Sequence, residues 1–198
     1  TGAFSVDEVF NITNLQPFIY NGTFDMTDTY GRVFELNSYT KFSFKNLVIE
    51  NLYNPVPIRS YAIRLGGASS TEYGEYIGNT FRNIRANGDG AANNSDGISK
   101  AIWSSSGNLS SADFEIVHSG NTYHDITGDD AEAVYYISSG DREHTGHVLF
   151  DNETGYRVTR RILKMCQGQF TIQNSDFTEQ PNSLYVSALS ASMVDIFS

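Results

Sequence analysis

Apolar and polar residues alternate along this chain over stretches of five to nine positions, and each stretch ends at Gly, Asn, Asp or Ser. A period of two marks a strand with one buried face, and no segment carries the 3.6-residue period of an amphipathic helix. The pattern predicts many short β-strands.

The strands fall into a repeated two-part unit. Its first part is an alternating strand with an Asn-containing bend and an apolar residue after it. The copies are Tyr20-Asn21-Gly22-Thr23-Phe24, Phe44 to Ile49 around Asn46, Gly78-Asn79-Thr80-Phe81, Gly120-Asn121-Thr122-Tyr123 and Gln173-Asn174-Ser175-Asp176-Phe177. Its second part is a short strand ending in small residues: Tyr61 to Gly67, Lys100 to Ser105, Glu132 to Ser138 and Arg161 to Cys166. From the anchors Phe24, Ile49, Phe81, Tyr123, Tyr156 and Phe177 the spacings run from 21 to 42 residues, with the excess in Gly/Ser/Asn loops at 86–96 and 104–111. Units of this size with variable insertions predict a solenoid. One coil cannot bury its inward face alone, but stacked coils pair in parallel about 4.8 Å apart and align like residues into inward ladders. Phe24, Ile49, Phe81, Tyr123 and Phe177 are expected to form such a ladder. Asn at the bend can stack amide on amide and tolerates left-handed backbone.

Composition narrows the class. Gly, Ser, Thr and Asn make 71 of 198 residues and only 18% are charged, which excludes a helical bundle. Twelve Tyr and 13 Phe supply too much apolar surface for a disordered chain. A formal charge of −10 repels polyphosphates, so nucleic acid is not an expected partner. One cysteine, Cys166, excludes an internal disulfide, and no stretch is apolar enough for a membrane span. The N-terminal TGAFSV has neither an initiator Met nor a signal-peptide pattern. Residues 1–198 are read as one domain, a fragment of a longer chain.

With this coil pattern over roughly residues 18 to 186, the chain resembles the right-handed parallel β-helix of the pectate-lyase-like superfamily, and within it the shaft of bacteriophage tailspikes and capsule depolymerases. The most specific segment is Arg160-Arg161-Ile162-Leu163-Lys164-Met165-Cys166-Gln167-Gly168 followed by Phe170 to Phe177. There a basic residue and an aliphatic pair precede a Gln-Gly bend and an Asn-centred strand. The resemblance implies a homotrimer on a virion tail, or a secreted protein if the source is not viral. It also implies a bacterial surface polysaccharide, capsule or O-antigen, as partner. Members of the superfamily include hydrolases, lyases and adhesins, so the fold leaves the activity open.

Aligning the second-part strands puts Ile63, Ile102, Val134 and Leu163 in one column, and alternation sends Arg64, Trp103, Tyr135 and Lys164 outward. Trp and Tyr suit the C–H face of a sugar ring, and Arg and Lys suit carboxylates of an acidic polysaccharide, so these four are the expected substrate-binding residues. A register slip of one would instead make Trp103 and Tyr135 core aromatics. Carboxylates crowd the strip, and glycoside hydrolysis needs two. Asp96, Asp130 and Glu132 are the candidate catalytic set for a hydrolase, against the alternative that they are solvated turn acids. A lyase would draw its base and its carboxylate-neutralising cations from Lys100, Arg161, His124, Tyr135 and Arg64. A non-catalytic adhesin would use the strip alone. His118, His124, His144 and His147 lack zinc-ligand spacing and no regular Ca²⁺ loop is visible, so no metal or cofactor is expected.

Overall fold

The computed structural model describes residues 8–13, 15–27, 31–37, 40–54, 59–66, 72–86, 97–104, 114–137, 147–166, 169–178, 184–187 and 193–197. They form nineteen strands and no helix. In chain order these are β1 (Glu8–Thr13), β2 (Phe18–Asp25), β3 (Arg32–Asn37), β4 (Lys41–Glu50), β5 (Tyr53–Asn54), β6 (Ser60–Leu65), β7 (Tyr73–Ile77), β8 (Thr80–Ala86), β9 (Ile98–Ser104) and β10 (Glu115–Ser119). They continue as β11 (Thr122–Thr127), β12 (Asp130–Ile137), β13 (His147–Asp151), β14 (Thr154–Val158), β15 (Arg161–Cys166), β16 (Gln169–Gln173), β17 (Asp176–Thr178), β18 (Leu184–Ser187) and β19 (Met193–Phe197).

Two sheets result, one of seven strands in the order β1-β3-β6-β9-β12-β15-β18 and one of twelve. The pairings are parallel throughout. The larger sheet holds two rows, β7-β10-β13-β16-β19 and β8-β11-β14-β17, which meet at β4. The chain visits the three rows in one order: β7, β8, β9, then β10, β11, β12, then β13, β14, β15, then β16, β17, β18. A parallel neighbour cannot be reached by a hairpin, so each return to a row requires passage through the other two.

Like residues align across the rows. The expected ladder is in register from Phe24 to Ile49, Phe81 and Tyr123, and it ends at Phe177. Ile49, Phe81 and Tyr123 are fully buried, and Phe81 stacks on Tyr123 at 5.4 Å. One anchor is corrected: the position between Tyr123 and Phe177 is Gly155, while Tyr156 pairs with His124 on the other face. A Cβ at Gly155 would meet the Ile162 side chain at 2.8 Å, so the side chain missing from this column is replaced by one from β15. A second column runs Phe44, Tyr76, His118, Phe150, and rings of successive members lie 4.5–5.7 Å apart. Burial holds the His118 imidazole neutral, its pKa down to about 3, with its ring nitrogens on the Tyr123 and Tyr136 hydroxyls.

The bend Asn residues occupy two adjacent columns rather than one. Asn21, Asn46, Gly78, Gly120, Asn152 and Asn174 take left-handed φ of 52–66°. One residue further on, Asn79, Asn121 and Glu153 are buried. The Asn79 amide donates to Phe44 O and to Asn121 Oδ1, and that of Asn121 donates to Tyr76 O and to Glu153 Oε1. Asn79 Oδ1, Asn121 Oδ1 and Glu153 Oε1 also accept the backbone N–H of Leu47, Asn79 and Asn121 respectively, so each layer satisfies the one before it. A second left-handed column, Asn51, Asn83, Asp125 and Arg157, bends the row from β4 to β14.

Candidate functional site

The strip over β6, β9, β12 and β15 lies in the predicted register: Arg64 pairs with Trp103, Trp103 with Tyr135, and Tyr135 with Lys164. Ile63, Ile102, Val134 and Leu163 beside them are fully buried. The four strip residues are half-buried because their rings and cations pack on one another. The Tyr61 ring stacks on Trp103 at 4.6 Å and the Arg64 guanidinium lies 4.8 Å over it, so the side of Trp103 toward β6 is covered. Tyr135 carries Lys100 at 5.1 Å and Lys164 at 4.3 Å over its ring. These cation–π contacts fix the cations in place and leave no open ladder of ring faces for sugars.

Strict alternation fails in these strands, with a consequence for the site. Ala62, Ala101, Ala133 and Ile162 are as fully buried as the column beside them. With two consecutive positions buried, Tyr61, Lys100 and Arg161 of the column before them join Trp103, Tyr135 and Lys164 in walling one depression, and Glu132 of that column lies beneath it. It encloses about 400 Å³, and basic side chains line it: Arg59, Lys100, Arg160, Arg161 and Lys164, together with Tyr61, Trp103 and Tyr135. Arg64 does not line it, being paired with buried Glu35.

Two carboxylates serve these cations. Glu132 has no exposed side-chain surface and is ion-paired with Lys100, with Arg161 at 3.0 Å and with Lys164 at 3.9 Å. Burial pushes the Glu132 carboxyl up and the Lys100 ammonium down, each against the pull of its partner. The pair is neutral as a unit whichever partner holds the proton. Asp130 reaches Arg160, and also Arg161 and Lys100 at 3.3 Å. Burial alone would raise its pKa, but Lys100, Lys164 and Arg160 outweigh that and hold it down at about 2. Five basic against two acidic side chains leave the site positive in a protein of charge −10.

Neither described member of the expected acid–base set is placed for that role. Glu132 lies beneath the strip, out of contact with solvent, where a carboxyl cannot meet a glycosidic oxygen. Asp130 stays ionised and occupied by guanidinium groups, so it cannot be the protonated acid that hydrolysis needs. Asp96 lies outside the described residues, as do the loops at 87–96 and 105–113. Among the lyase candidates, Lys100, Arg161 and Tyr135 line the depression, while His124 stacks on Tyr156 at 4.8 Å in the other sheet. Among the described residues no three His, Cys, Asp or Glu side chains come together as a metal site, and no helix is long and apolar enough to cross a membrane. Arg59, Tyr61, Ile98 and Arg160 also line the wall, and strand alternation does not place them there. The Arg160-Arg161 doublet at the start of β15 is the visible signal for Arg160. Compared with models of protein families, with curated proteins and with solved structures, the chain gives no match.

Proposed function

We propose that this chain is a right-handed parallel β-helix of the phage-tailspike kind, and that its cationic groove binds an acidic bacterial surface polysaccharide. The three rows visited in fixed order by parallel strands support the first half. The observation that carries the second is the gathering of Arg59, Lys100, Arg160, Arg161 and Lys164 around Trp103 and Tyr135 in an otherwise acidic protein. Such a patch selects for an anion and steers it against the repulsion of the remaining surface. The parts of the half-buried Trp103 and Tyr135 rings that the cations leave uncovered supply apolar contact for the C–H groups of a sugar.

Binding is the part of the reading that the geometry supports best. Should the glycan also be cleaved, elimination suits this wall better than hydrolysis. Elimination needs cations on a uronate carboxylate and one base, whereas hydrolysis needs a protonated carboxyl that neither Asp130 nor Glu132 offers. The test is a panel of capsular and O-antigen polysaccharides read by calorimetry, reducing ends and the ultraviolet absorbance of unsaturated uronate. Binding confined to acidic glycans supports the groove, and absorbance on top of binding makes it a lyase. Reducing ends without absorbance restore the hydrolase, and binding of neutral glycans alone contradicts the proposal. The tailspike reading also carries a homotrimer, which light scattering of the intact protein would contradict by giving a monomer at micromolar concentration.

A further inference from the structure

Asp130 occupies the anion site as an anion would. Its Oδ1 accepts from Arg160 Nη1 and, at 3.3 Å, from Arg161 Nη2, while its Oδ2 accepts from Lys100 Nζ at 3.3 Å. Three cations thus divide the two coplanar oxygens of one carboxylate, which is how guanidinium-lined sites receive a carboxylate from outside. The two acids of the site are not equivalent. Glu132 neutralises the buried floor through Lys100 and Arg161, and no ligand reaches it. Arg160 is 45% exposed at the mouth while Asp130 is 13% exposed, so the Arg160 end of this pair is the one that a ligand reaches from solvent. An incoming carboxylate can exchange with that pair.

We propose that Asp130 is an internal substitute for the ligand: a uronate carboxylate of the bound glycan replaces it on Arg160. Asp130 thereby lowers affinity for every anion and sets a preference for planar carboxylates, whose shape the cations already hold. This rests on the reading of the groove as an acidic-glycan site. Asp130→Asn keeps the side-chain shape and the backbone carbonyl that accepts from Lys100 Nζ at 3.1 Å, so the floor stays intact.

The test is calorimetric titration with oligogalacturonate, its methyl ester and dextran sulfate at low salt, on wild type, Asp130→Asn and Arg160→Ala. Removing one competing charge should tighten oligogalacturonate binding about tenfold, tighten dextran sulfate binding less, and leave the ester unbound. Arg160→Ala, at an exposed position, should weaken oligogalacturonate binding several-fold and serves alone if Asp130→Asn does not fold. Wild-type binding with no gain in Asp130→Asn, or full affinity in Arg160→Ala, overturns this inference and leaves the groove reading standing. Weaker binding in Asp130→Asn makes Asp130 a direct acceptor from the glycan, which also overturns it. No binding of any acidic glycan by any of the proteins overturns the groove reading itself, and the role of Asp130 with it.

Discussion

Asn79, Asn121 and Glu153 at the bends of the larger sheet form a polar column, and so do Lys100, Glu132 and Arg161 of the smaller one; all six are buried, but they are satisfied in opposite ways. In the first column Asn121 Oδ1 and Glu153 Oε1 each accept both a backbone and an amide N–H of the layer before, Asn79 Oδ1 accepts the Leu47 N–H, and a protonated Glu153 leaves no charge to balance. The bonds run along the stacking direction and hold layers in register, which is a structural role. In the second, an ammonium, a carboxylate and a guanidinium succeed one another, and the cations extend into an open depression. Buried ions contribute little net stability against hydrophobic replacements. The column therefore reads as a site that the fold carries, with Glu132 as the anchor of its floor.

The largest effect that would break this contrast is expected from Glu132→Ala. Lys100 and Arg161 would be left buried without their shared carboxylate, at a cost of roughly 3–5 kcal/mol, measured by urea unfolding. A loss under about 1 kcal/mol would mean that the ion column is wetter than its burial indicates.

Next comes Glu153, the last acid of the neutral ladder. Burial pushes its carboxyl up to about 8 from an ordinary 4.5, against the hydrogen bonds it accepts from Asn121. A folded pKa above the unfolded one means that the native state keeps a proton the unfolded chain has lost. Stability should be full below pH 4.5, fall as pH rises toward 8, and level off above. Glu153→Gln supplies an uncharged amide like those of Asn79 and Asn121, so it should remove that slope and gain about 2–4 kcal/mol at pH 9 while changing little at pH 4. Parallel pH profiles of melting temperature for the two proteins would contradict the neutral-ladder account.

Asn121→Ala should cost about 1–3 kcal/mol, since it removes the acceptor of the buried Asn79 backbone N–H and a donor to Tyr76 O. Smallest in stability, under about 1 kcal/mol, is Lys164→Ala at the wall of the depression, yet it should weaken acidic-glycan binding where Asn121→Ala does not. A Lys164→Ala variant that loses stability but not binding would erase the distinction between the two columns.

Residue pattern alone carried the strand rows and the strip, because Ile63, Ile102, Val134 and Leu163 align as one column beside Arg64, Trp103, Tyr135 and Lys164; pairing of the strands then decides against the one-residue slip. It failed where a column changes its chemistry. Gly155 has no side chain to reveal its place, so the pattern points to Tyr156 one position on, and Glu153 hides the continuation of the Asn ladder. The depth of Glu132 was illegible for a different reason. Alternation assumes one face in and one out, and the two successive buried columns at 62–63, 101–102, 133–134 and 162–163 break that rule. A buried Glu is also rare without partners, and its partners Lys100 and Arg161 lie 32 and 29 residues away in sequence, visible only once the strands are paired.

The central claim, a positive groove built to take an acidic glycan, is tested most directly by the salt dependence of oligogalacturonate binding in wild type and Lys164→Ala. Affinity should fall steeply as salt is raised from about 0.01 to 0.15 M, as the screening length shortens, and the fall should be shallower once Lys164 is removed. Binding that ignores salt, or an equal slope in the two proteins, would contradict the account.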